Sequence, residues 1–124
     1  MTSWAVGKSL RLLIVEDHAD SAELLAELLE SRGHTVRIAG TASDALARAA
    51  EETFDVVVSD VGLPDATGYE LMQQLRDRFA LKGIALTGVR DSAKVREAGF
   101  VAYLSKPVAL RALEQTLANI SAEL

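Results

Sequence analysis

Three apolar runs of this chain each end in charge. Leu10-Arg11-Leu12-Leu13-Ile14-Val15 runs into Glu16-Asp17, Val56-Val57-Val58-Ser59 into Asp60, and Ala102-Tyr103-Leu104-Ser105 into Lys106-Pro107. Glu16, Asp17 and Asp60 at neighbouring strand ends cannot all stay ionised without a counter-charge, because like charges a few ångströms apart repel strongly. A hard divalent cation resolves the conflict. Magnesium prefers oxygen ligands in an octahedron and keeps several waters, so two carboxylates and a carbonyl are a sufficient protein contribution. Lys106 is a point charge suited to a phosphoryl oxygen. Thr87 adds a hydroxyl donor at the end of another apolar run, and Gly88 beside it lets a backbone N–H come close to an oxyanion. A carboxylate nucleophile, a cation, an ammonium and a hydroxyl are the parts needed for phosphoryl transfer to aspartate.

These residues meet only if the runs are adjacent parallel strands, since an open sheet of that kind binds ligands beyond its carboxyl ends. Short β-branched or leucine-rich runs do alternate with segments of helical period, which predicts an α/β domain with a mostly parallel sheet. The first strand is read at Leu10 to Glu16 and the first helix at Ala19 to Arg32, with Leu24, Leu25, Leu28 and Leu29 as its buried stripe and Gly33 as its stop. Thr35 to Ala39 is a second strand. Thr41 opens a second helix, with Asp44 three residues on and Ala45, Leu46 and Ala49 facing inward. The third strand, Asp55 to Ser59, is almost continuously apolar, as a strand covered on both faces must be. The glycines and proline of residues 61–68 exclude a regular element there. Tyr69 to Arg78 is the third helix, Gly83 to Thr87 the fourth strand and Ala102 to Ser105 the fifth. Only a short helix fits between Ser92 and Ala98, ending at Gly99. Pro107 is expected to open the last helix, with Leu110, Leu113 and Leu117 buried. The result is a doubly wound, five-stranded parallel sheet, a flavodoxin-like (βα)5 domain over 10–124, preceded by a tail or linker at 1–9.

Composition narrows the class. At 124 residues and 49% hydrophobic, the chain is one domain with a real core. With 18 acidic against 13 basic side chains its formal charge is -5, which argues against non-specific attraction to nucleic acid. There is no cysteine, so disulfides and thiolate metal sites are excluded. The apolar runs are strand-length, far short of a membrane span. Met1 to Ser9 lacks a signal-peptide pattern. Gly7-Lys8-Ser9 is a poor match to a phosphate-binding P-loop, because Thr2 stands where a further glycine is needed and no strand precedes it. His18 is read as a solvent-facing residue at the head of the first helix, and His34 as a turn residue. Trp4 lies in the tail.

The ordered set Glu16-Asp17, Asp60 with Gly62-Leu63-Pro64-Asp65 and Gly68, then Thr87-Gly88, then Tyr103 and Lys106-Pro107, resembles the receiver domain of two-component response regulators. The match spans roughly Leu10 to Asn119. The resemblance implies that Asp60 is a phosphoacceptor, taking its phosphoryl group from a histidine kinase or histidine phosphotransfer domain. Asp17, Asp60 and the Gly62 carbonyl would bind magnesium, with Glu16 acting through a bound water. Thr87, Gly88 and Lys106 would hold the phosphoryl group, Thr87 and Tyr103 would form the switch, and the Lys106-Pro107 bond would be cis. A domain of this kind catalyses its own phosphorylation and dephosphorylation but is not an enzyme with an external substrate. It would be cytoplasmic, a monomer or weak dimer, with no nucleic-acid partner and no membrane contact of its own. The runs around Gly62-Leu63-Pro64-Asp65 and Gly83 to Gly88 are most like receivers fused to hybrid sensor histidine kinases. Leu124 follows the last helix closely, which keeps a stand-alone regulator as the alternative.

Two positions depart from the family pattern. The chain between Thr87 and Gly99 is about one helical turn short, which touches the usual dimerisation surface. Gly62 lacks the side chain that most members place near the attacking water, and Val89 is apolar, so slow intrinsic dephosphorylation is expected. Ala19, Ala22 and Leu25 fit either the core or a docking surface for a donor helix. Two other functions compete. A haloacid-dehalogenase-like phosphatase with an aspartyl-phosphate intermediate wants a second Asp where this chain has Gly62. A phosphorylation-independent interaction module has no need of the complete acid, Thr and Lys set.

Overall fold

The computed structural model describes residues 9–88 and 92–123. The tail up to Lys8, including Trp4 and Gly7, lies outside the described residues, as does Val89. Strand and helix alternate strictly: β1 (Arg11–Val15), α1 (Ala19–Glu30), β2 (Thr35–Ala39), α2 (Ala42–Glu51), β3 (Val56–Asp60), α3 (Gly68–Phe79), β4 (Lys82–Thr87), α4 (Ser92–Ala98), β5 (Phe100–Ser105) and α5 (Leu110–Ser121). All strand pairs are parallel and the order is β2-β1-β3-β4-β5.

Side-chain alternation along each strand divides the core in two. Leu12 and Ile14 of β1, Val56 and Val58 of β3, and Ile84 and Leu86 of β4 pack with Ala26 and Leu29 of α1 and Leu113, Leu117 and Ile120 of α5. Leu13, Val15, Val57 and Ala85 face the other way, onto Ala45 and Ala49 of α2, Leu71, Met72 and Leu75 of α3, and Val95 and Ala98 of α4. The central strands are therefore buried on both faces, which is why they read as continuous apolar runs. Gly83 is needed for contact, since a Cβ there would lie 2.2 Å from the Met72 sulfur.

Three local readings change. In α1 the buried residues are Ala22, Ala26 and Leu29, whereas Leu24 is 59% and Leu28 36% exposed. Both stripes have helical spacing, and the smaller side chains win because they let the helix lie close to the sheet. The last helix begins at Leu110 rather than Pro107: Ala109 is still extended (φ −84°, ψ 122°), and Val108 packs on the core from the loop. β5 begins two residues early, at Phe100, whose ring is buried in the core. α4 keeps its expected seven residues and ends at Gly99, where φ of +105° suits glycine.

In this strand order the chain leaves β1 for one edge and returns to β3 on the other side. The crevice between the ends of β1 and β3 is the topological switch point, where this architecture binds ligands.

Candidate functional site

Each charged residue of the three runs sits just at or beyond a strand end, held by backbone bonds that continue the sheet. The Glu16 N–H donates to the Ala39 carbonyl at 3.0 Å, the Val61 N–H to Leu86 at 3.2 Å and the Lys106 N–H to Thr87 at 3.0 Å. Val15 pairs with Ser59, so Glu16 and Asp60 emerge side by side. Carboxylate oxygens of Glu16, Asp17 and Asp60 all lie within 4.8 Å of one another. Lys106 Nζ lies 2.7 Å from Asp60 Oδ2 and 4.0 Å from Glu16 Oε2. The Lys106–Pro107 peptide bond is cis.

The acids share their charge unequally. Burial, the hydrogen bond with Asp60 and the negative charge of Asp60 push the Glu16 carboxyl up to about 7, against the attraction of Lys106. Burial also opposes ionisation of Asp60, but hydrogen bonds from Glu16 and Lys106, the ammonium charge and the Gly62 N–H outweigh it and hold Asp60 below the usual carboxylate range. Burial works against the Lys106 ammonium, yet its bond to Asp60 and the surrounding acids raise it. Asp60 is thus the ionised carboxylate of the pair and Glu16 the one that gains a proton first.

The loop after Asp60 is folded back on itself. The Gly68 N–H donates to Val61 at 2.6 Å, Gly62 and Thr67 form an antiparallel bridge, and the Gly62 N–H reaches Asp60 Oδ1 at 3.4 Å. Gly68 passes so close that a Cβ would lie 2.3 Å from the Asp60 carbonyl oxygen. Thr67 and Glu70 complete a capping box at the head of α3. Thr67-Gly68-Tyr69-Glu70 carries that signal in the sequence.

Thr87 ends β4 and is buried, and a side chain at Gly88 would meet nothing within 4 Å among the described residues. Tyr103 is half-buried against the α2–α4 side of the core. His18 is exposed and caps α1, its Nδ1 accepting from the Ser21 N–H at 3.2 Å. His34 is more than a turn residue: its Nδ1 accepts from the Leu10 N–H at 3.0 Å and fastens the entry to β1. Ala22 belongs to the core, and Ala19 is exposed. Beside Lys106 and Glu16 lies an apolar groove of about 350 Å³, with Leu24, Leu25, Leu28, Leu86 and Pro107 among its walls.

The donor set fits a hard divalent cation: three carboxylates converge, and the buried Glu16 Oε2 has no hydrogen-bond partner among the described residues. The model of the response regulator receiver domain matches residues 12–118. The chain belongs to that family. Hybrid kinases carry similar receivers. The sensor histidine kinase RcsC of Salmonella typhi is 36% identical over 113 residues, a match covering 88% of this chain and 12% of that protein. This receiver thus spans about an eighth of such a relative. A receiver domain protein (CheY-like) from Methanospirillum hungatei superimposes with a TM-score of 0.87 at 33% identity, covering 94% of this chain and 96% of the other. A receiver from Saccharomyces cerevisiae, that of Ssk1 co-crystallised with the histidine phosphotransfer protein Ypd1, gives 0.85 at 26% identity, covering 94% and 92%. Among the described residues of this receiver, no helix is long and apolar enough to cross a membrane.

Proposed function

We propose that this receiver works in a phosphorelay, with Asp60 as the phosphoacceptor. The observation that supports this best is the 2.7 Å contact of Asp60 with Lys106 beside the Glu16–Asp17 pair. A carboxylate oxygen of Asp60 attacks the phosphorus of a phosphohistidine, the P–N bond breaks, and its electron pair stays on the imidazole nitrogen. Lys106 then turns its ammonium to the new phosphoryl oxygens, joined by the Thr87 hydroxyl and the Gly88 N–H. Asp17, Asp60 and the Gly62 carbonyl would hold magnesium, with Glu16 reaching it through water. When bound, the metal neutralises charge that builds on the transferring phosphoryl oxygens. Thr87 and Tyr103 shift together as the switch.

The donor is a histidine kinase or a histidine phosphotransfer domain, docking a helix on the exposed leucines of α1. The full protein is read as a hybrid kinase with this domain in the cytoplasm. Gly62 leaves the acceptor without a neighbouring side chain to guide water, which supports a long-lived phosphoryl group. The test is incubation with acetyl phosphate and magnesium, read by intact mass. One added phosphoryl group on the wild type and none on Asp60→Asn is the expected result; no adduct on either favours a phosphorylation-independent module.

A further inference from the structure

The β3–α3 loop is tied to a second element by a residue that has no part in the acid cleft. Asp65 Oδ1 accepts from the Ala42 N–H at 2.9 Å, and its Oδ2 accepts from the Ser43 N–H at 3.0 Å. Thr41 Oγ1 takes the next donor, the Asp44 N–H, at 3.0 Å, and the Ala45 N–H already closes on the Thr41 carbonyl. Every N–H of the first turn of α2 is therefore satisfied, two of them from another loop. The helix dipole and the two backbone donors favour the ionised form of Asp65, whose carboxyl is held below its usual range by the bonds to Ala42 and Ser43.

This arrangement spans the loop from both ends. Its base is closed by the Gly68 to Val61 bond and the Gly62–Thr67 bridge; its tip is fastened to α2 by Asp65. Gly62 belongs to the base bridge, and a side chain there would meet nothing within 4 Å among the described residues, so backbone bonds rather than packing place it. We propose that Asp65 is a positioning residue: its two bonds to the α2 N-terminus set where the Gly62 carbonyl points and so tune cation affinity at the acid cleft. The proposal rests on the reading of Gly62 as a magnesium ligand.

Magnesium chloride is titrated calorimetrically into the whole chain, and amide hydrogen exchange is followed over residues 61–67. Asp65→Ala is expected to weaken magnesium binding by about tenfold, the scale of lost outer-shell support, and to speed loop exchange. Asp65→Asn keeps one acceptor and should fall between. Thr41→Ala is the control: it removes a cap from the same helix and lowers the melting temperature, but leaves the loop and the affinity within about twofold of wild type. Equal effects of Thr41→Ala and Asp65→Ala on affinity, or unchanged affinity in Asp65→Ala, would overturn the proposal. A wild-type affinity that Asp17→Asn does not alter would instead remove the metal reading beneath it.

Discussion

Lys106 Nζ touches Asp60 at 2.7 Å while standing 4.0 Å from Glu16, so one ammonium serves two carboxylates that crowd each other. Lys106→Met leaves that cluster without its nearest counter-charge. Its side chain is 37% exposed, so solvent screening limits the loss to about 1 kcal/mol of metal-free stability at neutral pH. Urea denaturation measures it, and added magnesium should restore most of the difference. A stability equal to wild type in metal-free buffer would mean that the contact is not a stabilising one.

The raised carboxyl of Glu16 gives a pH dependence with a definite sign. Between 4.5 and about 7 the folded protein holds a proton that the unfolded chain has released, so metal-free stability falls as pH rises through that window. The expected decline is on the order of 2 kcal/mol after allowance for screening. Glu16→Gln should flatten the profile. Asp60 acts in the opposite sense: its stabilising contribution is present above 3.8 and disappears as pH falls below it. A stability that climbs steadily to neutrality in both proteins would contradict the assignment.

Gly68 and Gly62 should respond oppositely to alanine. A Cβ at Gly68 would strike the backbone of Asp60 and Val61 at 2.3 and 2.8 Å, so Gly68→Ala must displace the loop, with an expected loss of about 2 kcal/mol. Gly62→Ala meets no described residue within 4 Å and should keep the wild-type melting temperature. Thermal scans of the two variants decide it.

The missing side chain at Gly62 also bears on the phosphoryl lifetime. Gly62→Gln puts an amide within reach of an attacking water, and hydrolysis should quicken by about tenfold through orientation alone. The decay of the phosphorylated species by mass spectrometry is the readout. A wild-type lifetime as short as that of fast chemotaxis-type receivers would refute the expectation of slow hydrolysis.

The docking surface proposed on α1 can be tested separately from the chemistry at the acid cleft. Leu24→Glu and Leu28→Glu alter residues that are 59% and 36% exposed, so the fold should hold. Transfer from a histidine phosphotransfer domain should fall by about tenfold or more, as expected when an apolar contact is replaced by charge. Labelling by acetyl phosphate should be unaffected. Ala22 is unsuitable for this purpose, because it is buried against the sheet and a large charged replacement would test packing.

Much of this receiver is legible in its sequence, and the reason is local. Alternating apolar runs, Gly33 and Gly99 after helices, and charge at each strand end follow from backbone sterics and from strands buried on both faces, so the order of elements and the acid, threonine and lysine set could be read directly. The tertiary structure decided what depends on which neighbour lies opposite. It chose Ala22, Ala26 and Leu29 over the larger leucines of α1, because close approach to the sheet rewards small side chains and periodicity alone cannot rank two stripes. It kept Pro107 out of α5, and it joined Asp65 to Ala42 and Ser43 across 23 and 22 residues, a contact with no local signal. It also divided the charge, raising Glu16 and lowering Asp60, since carboxylates of similar intrinsic acidity are told apart only by burial and by which of them meets Lys106.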